Sequence, residues 1–177
     1  FEAGGHNGRE ETTTMCLIPA VRRATTLPLI AAGGIATGDA ILAAEALGAE
    51  GVQIGTRFAI TSESSAADAF KAVCLNLNEG DTKLILKKLS PTRLINNKFR
   101  AVLEEAEARD ASAEQLLEII GVGRARLGMF DGDIDNGELE IGQVASLFKG
   151  RAMQTVAEAM REMLDEYAAA RQRLLTL

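Results

Sequence analysis

The chain has 177 residues, 47% of them apolar and 25% charged, and a formal net charge of −6 at neutral pH. That length and balance fit one globular domain with a buried core. The negative charge speaks against a nucleic-acid face, no apolar run approaches the ~18 residues of a membrane helix, and no secretory leader pattern is present. Neither nucleic acid nor membrane is therefore expected as a partner, and the expected location is cytoplasmic. The two cysteines, Cys16 and Cys74, lie far apart in apolar helical contexts and read as buried free thiols.

The chain opens on "FEAGGHNG", where Gly4, Gly5 and Gly8 surround His6, the only histidine. "TTTMCLIPAVRRAT" (12–25) predicts a helix that Pro19 kinks or reopens. "LPLIAAGG" (27–34) is a short apolar run stopped by a glycine pair, the pattern of a strand buried on both faces. "TGDAILAAEALG" (37–48) predicts an Ala/Leu-rich helix with Gly48 as its stop. "GVQIGT" (51–56) is a second short strand that again ends in glycine. The alternation implies parallel strands joined by crossover helices.

From Ser64 onward the pattern is mostly helical, with helices predicted near 66–77, 98–109, 113–120 and 152–174. "KKLSPTRLINN" and the acidic "MFDGDIDNGELEIGQ" separate them. The last helix carries Val156, Met160, Met163, Leu164 and Tyr167 on one stripe, which reads as the face that docks on the rest of the domain. The helices outnumber the strands. Glycine-terminated strand ends of this type belong to a (β/α) barrel, which needs roughly 250 residues. The expectation is therefore the C-terminal portion of a larger α/β barrel.

"AAGGIATGD" and "QIGTRF" each join a strand to a helix start. Backbone N–H groups at such turns, together with the helix dipole, favour an anion. Glycine lets a phosphate approach the backbone, and Thr56 adds a hydroxyl donor. Loops after the last two strands of such barrels are a frequent phosphate site. Either turn alone reads better as a tight turn that needs positive φ. Two in succession favour phosphate. His6 sits in a glycine-rich loop expected on the same rim, where an imidazole can serve as acid, base or donor near neutral pH. Glu2 reads as a structural neighbour.

Two other motifs do not carry chemistry. "GVGRAR" (121–126) begins like a dinucleotide fingerprint, but its sixth position is Arg126 and no strand is predicted before it. "DGDIDNGELEIG" begins like a calcium loop with Asp131, Asp133 and Asp135. Its glycine comes one residue late, at Gly137, and its twelfth position is Gly142 instead of Glu, so it reads as a solvated acidic turn.

"EAGGH", followed by "PLIAAGGIATGDAILAAEALGAEGVQIGTRF" and then by "GDIDNGELEIGQVASLFKG", resembles the nitronate monooxygenase (2-nitropropane dioxygenase-like) family of FMN-dependent TIM barrels. It is similar also to the related FMN-dependent enoyl-acyl-carrier-protein reductase II. The resemblance implies that residues 1–63 form the last βα units of an incomplete FMN barrel. Residues 64–177 would then form a mostly helical region packed on it. It implies a catalytic role for His6, phosphate contacts from Gly33 and Gly34 after the seventh strand and from Gly55 and Thr56 after the eighth, and a histidine loop at Gly4 and Gly5 near the flavin. Gln143 matches a Gln of the family's "GQ" motif.

The implied activity is oxidative denitrification of alkyl nitronates with FMN. The alternative is NAD(P)H-dependent reduction of an enoyl thioester. Strands that a whole member carries before the position of Phe1 have no counterpart here. The chain by itself is accordingly expected to be inactive, with the N-terminal barrel half or a homo-oligomer as its partner. A non-catalytic subunit or binding fragment is the reading from another class.

Overall fold

A computed structural model describes residues 12–176 together with the backbone pairing of Gly5 and His6. The first half contains the expected βαβ unit. Helix α1 (Thr14–Ala24) runs through Pro19 without a break. Strand β2 (Ile30–Ala32) follows, then α2 (Gly38–Ala46) and strand β3 (Gly51–Gln53). Strands β2 and β3 are parallel, with Ile30 opposite Gly51 and Ala32 opposite Gln53. That register places the two glycine-ended strand exits side by side. Thr37 starts α2 by accepting the Ala40 N–H on its hydroxyl at 3.3 Å. A one-turn helix, α3 (Thr56–Ala59), leaves β3.

The second half holds more strand than its sequence suggests. After α4 (Asp68–Cys74) comes an antiparallel hairpin of β4 (Thr82–Ile85) and β5 (Thr92–Ile95), paired from Thr82 opposite Ile95 to Ile85 opposite Thr92. "KKLSPTRLINN" is thus half turn and half strand. The strands are only four residues long and are separated by Lys87, Lys88 and Pro91, so period-two alternation has little length in which to show. The turn begins at Leu86, which takes a left-handed φ of 59° while its side chain is buried among Phe99, Leu103 and Leu116. That backbone costs on the order of 1 kcal/mol, which burial of a leucine side chain offsets. Gly5–His6 forms a two-residue strand, β1, antiparallel to β5, with Gly5 opposite Arg93 and His6 opposite Thr92.

The remaining helices are α5 (Lys98–Ala108), α6 (Ala113–Ile120), α7 (Arg124–Met129), a 3-10 turn at Gln143–Phe148, and α8 (Val156–Leu175). Both α6 and α8 open with capping boxes, Ser112 with Gln115 and Thr155 with Glu158. Three apolar clusters support the fold. One fills the βαβ unit with Ile18, Ala31, Ile35 and Ala44. One lies under the hairpin. The central one joins Ala36 and Ile60 of the first half to Phe70, Cys74, Leu139 and Phe148 of the second. The two halves therefore share a core.

Two expectations are corrected. Cys16 is exposed and only Cys74 is buried, although both are free thiols. The α1 face that turns inward carries Ile18, and Cys16 lies two residues off it. On α8 the buried residues are Ala159, Met163 and Ala170, whereas Met160 and Leu164 of the expected stripe are exposed. Helices α2 and α8 pack closely. A Cβ on Gly38 would lie 2.1 Å from the Tyr167 backbone nitrogen.

Candidate active site

The β2 and β3 exits open into a cleft of about 340 Å3. Gly33, Gly34, Gly55 and Thr56 line it, and the C-terminal segment closes it with Glu140 and Gly142. Glu140 is the one acidic or basic residue among the described lining residues. A larger hollow of about 540 Å3 lies between α4 and β5, but it is shallow and mostly apolar. The Asp81 carboxylate at its edge already accepts from the Asn78 backbone and side chain. The strand-exit cleft is the better candidate because it combines turn amides, a hydroxyl and enclosing walls.

The glycines here answer to different demands. Gly33 and Gly34 have φ of 93° and 72°, which side chains disfavour, so the turn itself asks for glycine. Gly55 has φ −102° and ψ −66°, which any residue adopts. A Cβ on Gly55 would meet no atom of the described residues within 4 Å. Among the described residues neither backbone nor packing requires glycine at that position, and a side chain there would project into open space. The Thr56 hydroxyl accepts the Gly142 N–H at 3.1 Å. A hydroxyl that accepts through a lone pair still has its own hydrogen to donate, so Thr56 remains able to donate into the cleft.

The helix dipoles contribute less than the sequence suggests. The first N–H of α2, on Gly38, donates to Glu166 of α8 at 2.8 Å. Asp39, in the same first turn, pairs with Arg173. The α2 N-terminus is thus met by acids of the protein's own. Helix α3 has only four residues. Turn amides and the Thr56 hydroxyl remain as the donors for an anion.

Gly5 and His6 are placed by backbone pairing. Along the β5 edge opposite β4, β1 faces Thr92 and Arg93, and Glu140 forms a bridge with Leu94. The His6 segment therefore lies next to the cleft wall on one strand edge. Gly4 and Glu2 lie outside the described residues. Gln143 is exposed at the start of the 3-10 turn and does not line the cleft. Gly121 and Gly123, with φ of 65° and 79°, end α6 and start α7. Asp133 folds the acidic loop on itself, accepting the N–H groups of Asp135 and Asn136 on Oδ1 at 3.2 and 2.9 Å. Lys98 pairs with Asp135 at 2.8 Å. Among the described residues no group of three or more His, Cys, Asp or Glu could hold a metal ion.

Sequence reasoning missed Glu140 and an ion cluster built around the buried Arg57. Arg57, 3% exposed, donates to Glu162 at 2.7 Å and lies over the Phe148 ring at 4.3 Å. Glu162 also accepts from Gln154 and Arg151. Burial raises the Glu162 pKa. The hydrogen bonds from Gln154 and Arg151, with the charge and hydrogen bond of Arg57, outweigh that and hold it at about 2. No local pattern marks Glu140, because its place depends on the bridge to Leu94. "QIGTRF" does contain Arg57, but nothing in that stretch names a partner 105 residues away.

Fold and cleft together define an α/β protein with a glycine-lined site at the C-terminal ends of neighbouring parallel strands. The sequence model of the nitronate monooxygenase family matches residues 1–166, and the chain belongs to that family. It is 40% identical over 117 residues to a probable nitronate monooxygenase of Staphylococcus haemolyticus, which is 60% of this chain and 32% of that protein. Among solved structures it is similar to FabK from Thermotoga maritima, with 34% identity and a TM-score of 0.89 over 99% of this chain and 54% of that one. Nitroalkane oxidase from Streptomyces ansochromogenes is similar at 27% identity and a TM-score of 0.77, over 98% and 51%. The matched region is thus about a third of that curated relative and about half of these solved chains.

Proposed function

We propose that this chain forms the phosphate end of the FMN site in a TIM-barrel oxidoreductase that converts alkyl nitronates to a carbonyl compound and nitrite. The observation that carries the reading is Gly55. It is a glycine for which the described residues give no backbone or packing reason, beside a hydroxyl with a hydrogen to donate. Family membership supports an oxidoreductase. The residues present fit a phosphate monoester: turn amides at Gly33, Gly34 and Gly55 and the Thr56 hydroxyl would donate to its oxygens. FMN, when bound, would take an electron from the substrate and allow oxygen to complete the cleavage. His6 would hold the nitronate by donating an imidazole N–H to a nitro oxygen, or take the α-proton of the parent nitroalkane on a ring nitrogen.

The rest of the barrel would come from a preceding segment or from a second copy. Supporting this are Leu27 and Ile30, which are 70% and 55% exposed at and before β2, and the share of the relatives that the chain spans. Alone, the chain is expected to turn over neither substrate. A second reading, NAD(P)H-dependent enoyl thioester reduction, keeps FMN and the same phosphate contacts. The solved enoyl reductase domain of MlnA has the same fold at a TM-score of 0.72. Oxygen uptake with an alkyl nitronate, set against NAD(P)H oxidation with an enoyl thioester, separates the two in a complete barrel carrying this segment. Turnover of the thioester alone would sink the nitronate reading. In the same protein, Gly55→Ala is expected to weaken FMN at least tenfold while riboflavin, which lacks the phosphate, changes less than twofold. Equal losses for both would remove the phosphate assignment.

A further inference from the structure

We propose that α8 is a two-point clamp that sets the spacing of the two glycine turns, with Glu162 and Glu166 as positioning residues for the phosphate end of the cleft. The proposal rests on the phosphate reading above.

Each glutamate grips the chain just beyond one turn. Glu166 accepts the N–H of Gly38, four residues after Gly34, at 2.8 Å. Glu162 accepts from Arg57, the residue after Thr56, at 2.7 Å. The glutamates are four apart, so they stand on one face about one helical turn, ~5.4 Å, from each other. Neighbouring parallel strands are ~4.8 Å apart. One turn of α8 is thus comparable in length to the separation of neighbouring parallel strands.

The grip is short-range on both sides. Gly38 has no side chain to hold α8 away, since a Cβ there would lie 2.3 Å from the Met163 carbonyl oxygen. Arg57 is buried and its guanidinium lies over Phe148, so it has little freedom to follow a displaced partner. Arg173 with Asp39 and Tyr167 with Glu45 extend the α8–α2 contact along the helix. None of these side chains is among the residues lining the cleft. Their effect on a bound anion would pass through the two turns.

The test follows backbone amide shifts of the chain during titration with inorganic phosphate, beside thermal melts. In the wild type the amides of Gly33, Gly34, Gly55 and Thr56 should shift together. Glu166→Ala should weaken phosphate at least fivefold. Glu166→Gln should stay within twofold of wild type, because its amide oxygen still accepts from the Gly38 N–H. Glu158→Ala breaks the α8 capping box away from both turns. It should lower the melting temperature while phosphate affinity stays within twofold. Wild-type affinity in Glu166→Ala, or an equal loss in Glu158→Ala, would overturn the clamp and leave the phosphate reading standing. No amide response in the wild type would overturn both.

Discussion

At the scale of single residues, three side chains have consequences that do not depend on the whole enzyme. Cys16 is exposed, whereas burial pushes the Cys74 thiol up to about 12. Thiolate is the reactive form. Iodoacetamide at pH 8 should label Cys16 within minutes and leave Cys74 unmodified until the protein unfolds, as peptide mass spectrometry would read. Equal labelling of both in the native state would contradict the packing around α4. Glu162 bears on acid stability. Its carboxyl is held at about 2, below its ordinary value of 4.5, so folding gains from its ionised form. That gain is complete above about pH 4.5 and is lost as pH falls from there toward 2. Glu162→Gln should cost on the order of 2–3 kcal/mol at pH 7 and flatten the stability profile through that window. Urea unfolding at several pH values measures both effects, and an unchanged profile would refute the ion cluster.

At the scale of elements, Asn97 joins three pieces of chain. Its Oδ1 caps α5 by accepting the Arg100 N–H at 2.8 Å. Its Nδ2 donates to the carbonyls of Ile134 and Gly137 at 3.0 and 2.8 Å, tying the acidic loop to the helix start. Asn97→Ala should destabilise by about 2 kcal/mol, an N-cap plus two loop hydrogen bonds, one of them partly buried. Asn97→Asp keeps the cap acceptor but has no N–H to donate, so it should recover only part of the loss. Chemical denaturation of the two variants decides this, and full recovery by Asp would mean that the loop contacts contribute nothing.

At the scale of the whole molecule, the parallel sheet has two strands among the described residues, whereas parallel sheets normally have both faces covered. Met15 and Leu17 of α1 are 65% and 48% exposed, in addition to Leu27 and Ile30. Exposed apolar surface of this kind drives association. The isolated chain should bind a hydrophobic dye such as ANS and sediment as more than a monomer. Supplying the N-terminal half of a relative should suppress both signals. A monodisperse, dye-silent chain would show that the α1–β2 surface needs no cover. Among the described residues no helix is long and apolar enough to cross a membrane.

The sequence by itself determined the βαβ unit and its two glycine turns. Their signals are local: an apolar run, a glycine stop, and a threonine before an Ala-rich helix. Gly33 and Gly34 were legible because a left-handed turn needs glycine whatever surrounds it. Gly55 reads from the sequence as a phosphate contact or as a tight turn, and the structure adds that its backbone is not left-handed and that an added Cβ meets none of the described residues. The tertiary structure decided the rest. The hairpin at 82–95 was hidden because its strands are short and each is completed by pairing. The inward face of α8 carries Ala159, Met163 and Ala170 instead of Met160 and Leu164, because docking against the rest of the fold, and not the helix's own apolar stripe, selects the face. Glu140 joins the cleft only through its bridge to Leu94. Glu162 and Glu166 reach Arg57 and Gly38 only once α8 has returned across more than a hundred residues of chain. A periodic pattern records what each element does to its own backbone. Which residues meet across the fold is settled by packing, and the candidate site is built mainly from such meetings.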